Sequence, residues 1–190
     1  MQRITRYPLL FKQIIHYTDP GDDRSQVQRA QQMAEKILGH INETIRLQEG
    51  RERLKEISKE LWVGQGRLDL TAPTRYMGPR KLLKEGILTK AKSGRKLRAF
   101  LCNDILVLTE ESTKSLYRMP LSLAEVEVHE AAGARDDQTF QLVVAYPRGG
   151  DSVGLRASSV RECQAWMEAI YNASKRCREV QRRTTGRSRG

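Results

Sequence analysis

The sequence predicts an α+β chain of more than one domain. A helical-bundle fragment comes first, followed by a seven-stranded antiparallel β-barrel or sandwich capped by a C-terminal α-helix. Three observations lead there. Apolar residues recur at three- and four-residue spacing from the start to about Trp62. Short alternating runs then replace that period, and a helical stripe returns around Trp166. The boundaries that follow are helices over 1–62, a linker over 63–82, the barrel and its helix over 83–183, and a disordered basic tail over 184–190.

The opening MQRITRYPLLFKQIIHYT places Ile4, Tyr7, Phe11 and Ile14 on one helical face, widened by Leu10, Ile15 and Tyr17. Tyr7, Leu9 and Leu10 read as core. Either Thr5 caps this helix and Pro8 lies in its first turn, where a missing N–H costs nothing, or the helix starts upstream and Pro8 kinks it. The turn-rich TDPGDDRS at 18–25 ends it. A second helix carries Val27, Ala30, Ala34, Ile37, Ile41 and Ile45 on one stripe and can run to Leu61. Gly39 and Gly50 each cost it about 1 kcal/mol against alanine, so a bend or break near Gly50 is expected. Two helices cover each other's apolar faces poorly. The stripe is full-grown by the fourth residue, as if the first part of a larger helical domain were absent.

Residues 63–86 contain four glycines and two prolines and read as a connector. Alternating runs follow at 86–92, 96–101, 104–109, 115–119, 124–128, 139–145 and 152–156, with turns at Ser93-Gly94 and Asn103-Asp104. Ser159 and Glu162 form a capping box for the last helix. Its stripe of Cys163, Trp166, Met167, Ile170 and Cys177 predicts that Trp166 plugs one end of the barrel.

A formal charge of +11 on 190 residues, with 30% of them charged, points to an acidic partner: nucleic acid, anionic lipid or an acidic protein face. Cys102, Cys163 and Cys177 are widely separated and odd in number, which argues against a disulfide scaffold and for a reducing, cytoplasmic compartment. His16, His40 and His129 are isolated from one another and from the cysteines, so neither a metal site nor a nucleophilic triad is expected. No cofactor is expected either. Helix-turn-helix, zinc and phosphate-loop motifs are absent, which sets aside nucleic-acid binding and enzymatic catalysis in the strict sense.

QRITRYPLLF at 2–11 closely resembles the last signature block of the Dbl-homology domain, the catalytic domain of exchange factors for Rho-type GTPases. HIN at 40–42 resembles the matching part of that domain's final long helix. The barrel closed by a tryptophan-bearing helix resembles a pleckstrin-homology domain, which follows the Dbl-homology domain in this family. The resemblance implies an elongated helical bundle of which this chain holds the C-terminal helices. It also implies a Rho-family small GTPase as partner, with Arg6 and Asn42 facing it. Such contacts remodel the GTPase switches until GDP leaves, and no catalytic residue in the covalent sense is implied.

Between Arg80 and Arg98 stand eight basic residues against Glu85 alone. Lys90, followed by Lys96-Leu97-Arg98, resembles the phosphate-holding pattern of pleckstrin-homology domains that bind phosphoinositides, with a shorter intervening loop. With Lys92 beside them, Lys90, Lys96 and Arg98 are the candidate lipid-binding residues. They imply peripheral association with the anionic plasma membrane. The competing reading is a membrane-binding adaptor without exchange activity.

Overall fold

The computed structural model describes residues 6–63, 66–112, 115–131, 137–145 and 150–187. Ile4 and Thr5, invoked above, lie outside these residues. The chain divides into two units, Met1–Glu49 and Gly50–Gly190.

In the first unit, α1 (Tyr7–Tyr17) starts behind Arg6, whose φ of −84° is already helical, and Pro8 sits in its first turn. The Thr18 hydroxyl donates to the Ile14 carbonyl at 2.7 Å as the helix ends. No residue of α1 is buried. Tyr7, Leu9 and Leu10, expected in a core, are 51%, 62% and 50% exposed. Phe11 and Ile15 are half-buried. α2 (Asp22–Glu60) crosses the unit boundary as one helix. The break expected near Gly50 does not occur, since the glycine penalty of about 1 kcal/mol is spread over many turns of helix.

In the second unit, the end of α2 is followed by a two-residue hairpin, β1 (Trp62–Val63) with β2 (Gly66–Arg67). Seven strands then form one antiparallel sheet: β3 (Leu82–Lys90), β4 (Lys96–Cys102), β5 (Ile105–Glu110), β6 (Leu121–Ser122), β7 (Val126–Glu130), β8 (Thr139–Val144) and β9 (Ser152–Arg156). Their order is β6-β5-β4-β3-β9-β8-β7. Strand alternation sorts the side chains onto two faces. Leu97, Ala99 and Leu101 of β4 join Leu106, Leu108, Phe140, Leu142 and Leu155 in the main core. α3 (Val160–Arg187) completes that core with Cys163, Trp166, Ile170, Ala173 and Cys177. Trp166 is 1% exposed, as the plug expectation requires.

On the other face of β4 and β5, Phe100, Cys102 and Val107 are covered by Leu54, Ile57, Leu61 and Leu70. Burying each such side chain stabilises by roughly 1.5–3 kcal/mol. Part of the segment read as a linker is thus laid onto the sheet. The Leu70 amide donates to the Ser58 hydroxyl at 2.8 Å, and the Leu68 amide donates to the Leu61 carbonyl at 3.1 Å.

Three expected elements shift. The run at 115–119 is not a strand: Leu116 makes one isolated bridge to Thr109, and the strand beside β5 is Leu121–Ser122. Pro120 has no N–H to donate, so the ladder cannot continue through it. The first long strand starts at Leu82 and stops at Lys90, where Gly94 at φ 67° turns the hairpin and the Lys90 amide donates to the Arg95 carbonyl at 2.8 Å. Residues 184–187, read as disordered, continue α3, and 188–190 lie outside the described residues. The Ser159 hydroxyl accepts from the Glu162 amide at 3.1 Å at the start of α3. Among the described residues, no helix is long and apolar enough to cross a membrane.

Candidate functional site

Arg6 immediately precedes α1, and Asn42 sits on α2 between the half-buried Ile41 and Ile45. Both side chains are exposed and make no hydrogen bond or ion pair with the described residues. Neighbouring side chains on α2 are committed elsewhere. The Thr44 hydroxyl donates to the His40 carbonyl at 2.9 Å, and Arg46 holds Glu43 at 2.9 Å. An arginine and an amide left free in this way can donate to a carboxylate or carbonyl on a partner surface.

The basic cluster of the second unit divides three ways. Arg80 is withdrawn into the protein: Nε and Nη2 donate to the two carboxylate oxygens of Asp104 at 2.8 and 2.7 Å, with both side chains largely buried. That hydrogen bond raises the Arg80 pKa above its ordinary value despite the opposing cost of burial. Lys84 pairs with Glu162 at 3.3 Å and lies 5.2 Å from the centroid of the Trp166 ring. Arg95 pairs with Glu110 at 2.6 Å. These three are each held by a carboxylate of the protein, which leaves Lys81, Lys90, Lys92, Lys96 and Arg98.

Strand parity then separates the lipid-binding candidates. Lys96 and Arg98 pair with Thr89 and Ile87 and share the outer face of the sheet. Lys90 alternates to the side of Leu88, with its ammonium 5.1 Å from the Tyr117 ring centroid. Lys92 is exposed in the turn between the two strands. The four cations therefore edge one hairpin without sharing a face. Arg98 also enters a cleft of about 420 Å³ where the end of α2, through Arg53, Ile57 and Lys59, meets Phe100 and Thr109. Sequence patterning did not find this cleft, because it forms between elements some forty residues apart. The roles of Tyr117 and Asp104 were equally hidden. A Tyr in a loop and an Asp in a turn carry no periodic signal.

Cys102 and Cys177 are poor nucleophiles. Burial pushes the Cys102 thiol up to about 12 and also raises that of Cys177. No cluster of metal-ligating side chains occurs among the described residues.

Residues 1–42 match the RhoGEF domain family and residues 65–116 match the pleckstrin homology domain family. Intersectin-1 of Xenopus laevis is 34% identical over 195 aligned positions, covering 92% of this chain and 11% of that protein. Human Rho guanine nucleotide exchange factor 11 is 33% identical over 161 positions, covering 76% of this chain and 10% of that protein. The chain thus spans about a tenth of the length of these relatives. Among solved structures, the DH/PH fragment of PDZRHOGEF in complex with human RhoA superposes with a TM-score of 0.73 at 28% identity. That match covers 93% of this chain and 53% of the solved one.

Proposed function

We propose that this chain, which carries a RhoGEF-domain segment followed by a pleckstrin homology domain, serves guanine-nucleotide exchange on a Rho-family small GTPase. Its first unit forms part of the surface that binds the GTPase and stimulates GDP release. Its pleckstrin homology domain meets an anionic membrane surface. The observation that carries this reading is the RhoGEF match over residues 1–42, which contains Arg6 and Asn42, both exposed and without a partner among the described residues.

An exchange factor accelerates release by binding the nucleotide-free GTPase better than the nucleotide-bound one; no covalent step is involved. Arg6 and Asn42 supply donors for switch groups that GDP-bound geometry holds elsewhere. The 190 residues alone do not accelerate release, because displacing both switches takes more helical surface than two helices offer. The chain spans 53% of the DH/PH chain it superposes on. At the membrane, each cation near the surface contributes about 1 kcal/mol, so Lys90, Lys92, Lys96 and Arg98 act together. The protein is then cytoplasmic and peripheral at the plasma membrane.

The test is an affinity comparison by biolayer interferometry between RhoA, either freed of nucleotide with EDTA or loaded with GDP, and a chimera in which this chain replaces the corresponding part of the PDZRHOGEF DH/PH fragment. The reading expects at least tenfold preference for the nucleotide-free form, reduced by Asn42→Ala. Equal binding to both forms, with retained binding to vesicles containing phosphatidylserine, supports the adaptor reading instead.

A further inference from the structure

On the side of the second unit away from the β3–β4 hairpin turn lies a groove of about 350 Å³ between α3 and the start of β3. Its floor exists because Ala169 and Ala173, one turn apart on α3, are too small to fill the space beside Leu83. Leu83 is 41% exposed there, an apolar side chain at the bulge between Leu82 and Lys84. The rim is preformed. Gly78, at φ 71°, turns the preceding loop, and the Met77 amide donates to the Thr74 hydroxyl at 2.7 Å. The buried Asn103 accepts from the Lys81 amide at 2.9 Å and donates to the Pro79 carbonyl at 3.2 Å, which holds Lys81 at the groove.

The charge around it is one-sided. Lys81 and Arg176 line the groove, no carboxylate does, and neither cation is paired with a described residue. Seven residues on, Arg183 falls on the same face of α3 as Arg176, continuing the cationic line. Lys175 and Arg182 flank that line, with Glu179 the only acidic residue in 175–187. An apolar floor between two free cations selects a ligand with an apolar body and negative charge on both sides.

We propose that this groove docks an acidic protein segment, with an aliphatic side chain seated over Ala169 and Ala173 and flanking carboxylates held by Lys81 and Arg176. A flat lipid surface has no use for an aliphatic socket one side chain wide, which favours a protein partner over a membrane. The groove lies wholly within the second unit.

Two fluorescein-labelled octapeptides of equal charge serve as probes, one with leucines spaced between acidic pairs and one with serines in their place. Fluorescence anisotropy with the 190-residue chain at 0.1 M salt is expected to show at least fivefold tighter binding of the leucine peptide. Charge reversal by Arg176→Glu or Lys81→Glu is expected to weaken both peptides at least tenfold. Ala169→Met fills the socket and is expected to abolish the leucine preference while leaving the serine peptide's affinity unchanged. Circular dichroism checks that each variant is folded. Equal affinity for the two peptides overturns the proposal. So does a Lys81→Glu or Arg176→Glu variant that loses binding to phosphatidylserine vesicles and keeps both peptides.

Discussion

Replacing Trp166 with alanine tests whether the closing helix holds the barrel together. The indole is 1% exposed and lies within the main core. Its removal costs roughly 3–5 kcal/mol in lost transfer energy and residual cavity. The nearby Lys84 ammonium, at 5.2 Å from the ring, adds a cation–π loss of about 0.5–1 kcal/mol. With a urea slope of about 2 kcal/mol/M, the combined loss lowers the midpoint by about 1.8–3 M. Gly86 supplies an internal control. A Cβ there would sit 3.2 Å from Cζ2 of Trp166, so Gly86→Ala crowds the indole and costs about 1 kcal/mol. In the Trp166→Ala background the crowding vanishes, and the same substitution becomes neutral or stabilising. Hydrogen exchange of β3 and β4 peptides across a urea series reads the barrel separately from the helices. An unchanged midpoint for Trp166→Ala, or strictly additive effects in the double variant, would refute the plug.

Asp104→Ala strands the Arg80 guanidinium in a site where it is 11% exposed, so it costs about 3–5 kcal/mol, and adding Arg80→Met recovers much of the loss. Urea midpoints of the three variants check this; full additivity contradicts it. The Cys102 thiol, pushed up from 9.0 to about 12 by burial, contributes stability that is complete below pH 9 and is lost as pH rises from 9 towards 12. The slope from this group is about 1.4 kcal/mol per pH unit, so the wild type must lose stability more steeply than Cys102→Ala over that window, and parallel curves would sink the assignment. Phosphatidylserine liposomes are expected to bind the chain and release it as salt rises, since screening shortens from about 10 Å at 0.1 M to 3 Å at 1 M. Replacing Lys90, Lys96 and Arg98 with alanine should weaken sedimentation with liposomes more than replacing Arg182, Arg183 and Arg187. The reverse ranking moves the membrane contact to the end of α3.

What could be read from the sequence was whatever repeats along one element. The 3.6-residue stripe of α3 placed Trp166 in the core because a single helix carries the whole pattern. The alternation in β8 and β9 was legible for the same reason. Residues 115–119 misled because their alternation was judged without Pro120, whose missing amide decides where pairing can resume. Tyr7, Leu9 and Leu10 look like core by composition, yet burial depends on a partner surface that no local pattern encodes. The basic hairpin was visible as a charge count. Which cations remain free was not, since the partners of Arg80, Lys84 and Arg95 are Asp104, Glu162 and Glu110, brought close only by the sheet and α3. For Arg6 and Asn42, exposure alone could not be inferred from spacing, and the motif resemblance marked them where periodicity was silent.

The central claim is that residues 1–42 work as part of an exchange surface. A chimera tests it most directly, with this chain replacing the corresponding part of the PDZRHOGEF DH/PH fragment. Release of a fluorescent GDP analogue from RhoA is followed with the chimera and with the 190-residue chain. The account predicts that the chimera accelerates release and the chain alone does not. Asn42→Ala in the chimera should then slow release at least tenfold without changing its melting temperature. A folded chimera that leaves release at the uncatalysed rate, or one indifferent to Asn42→Ala, would contradict the claim.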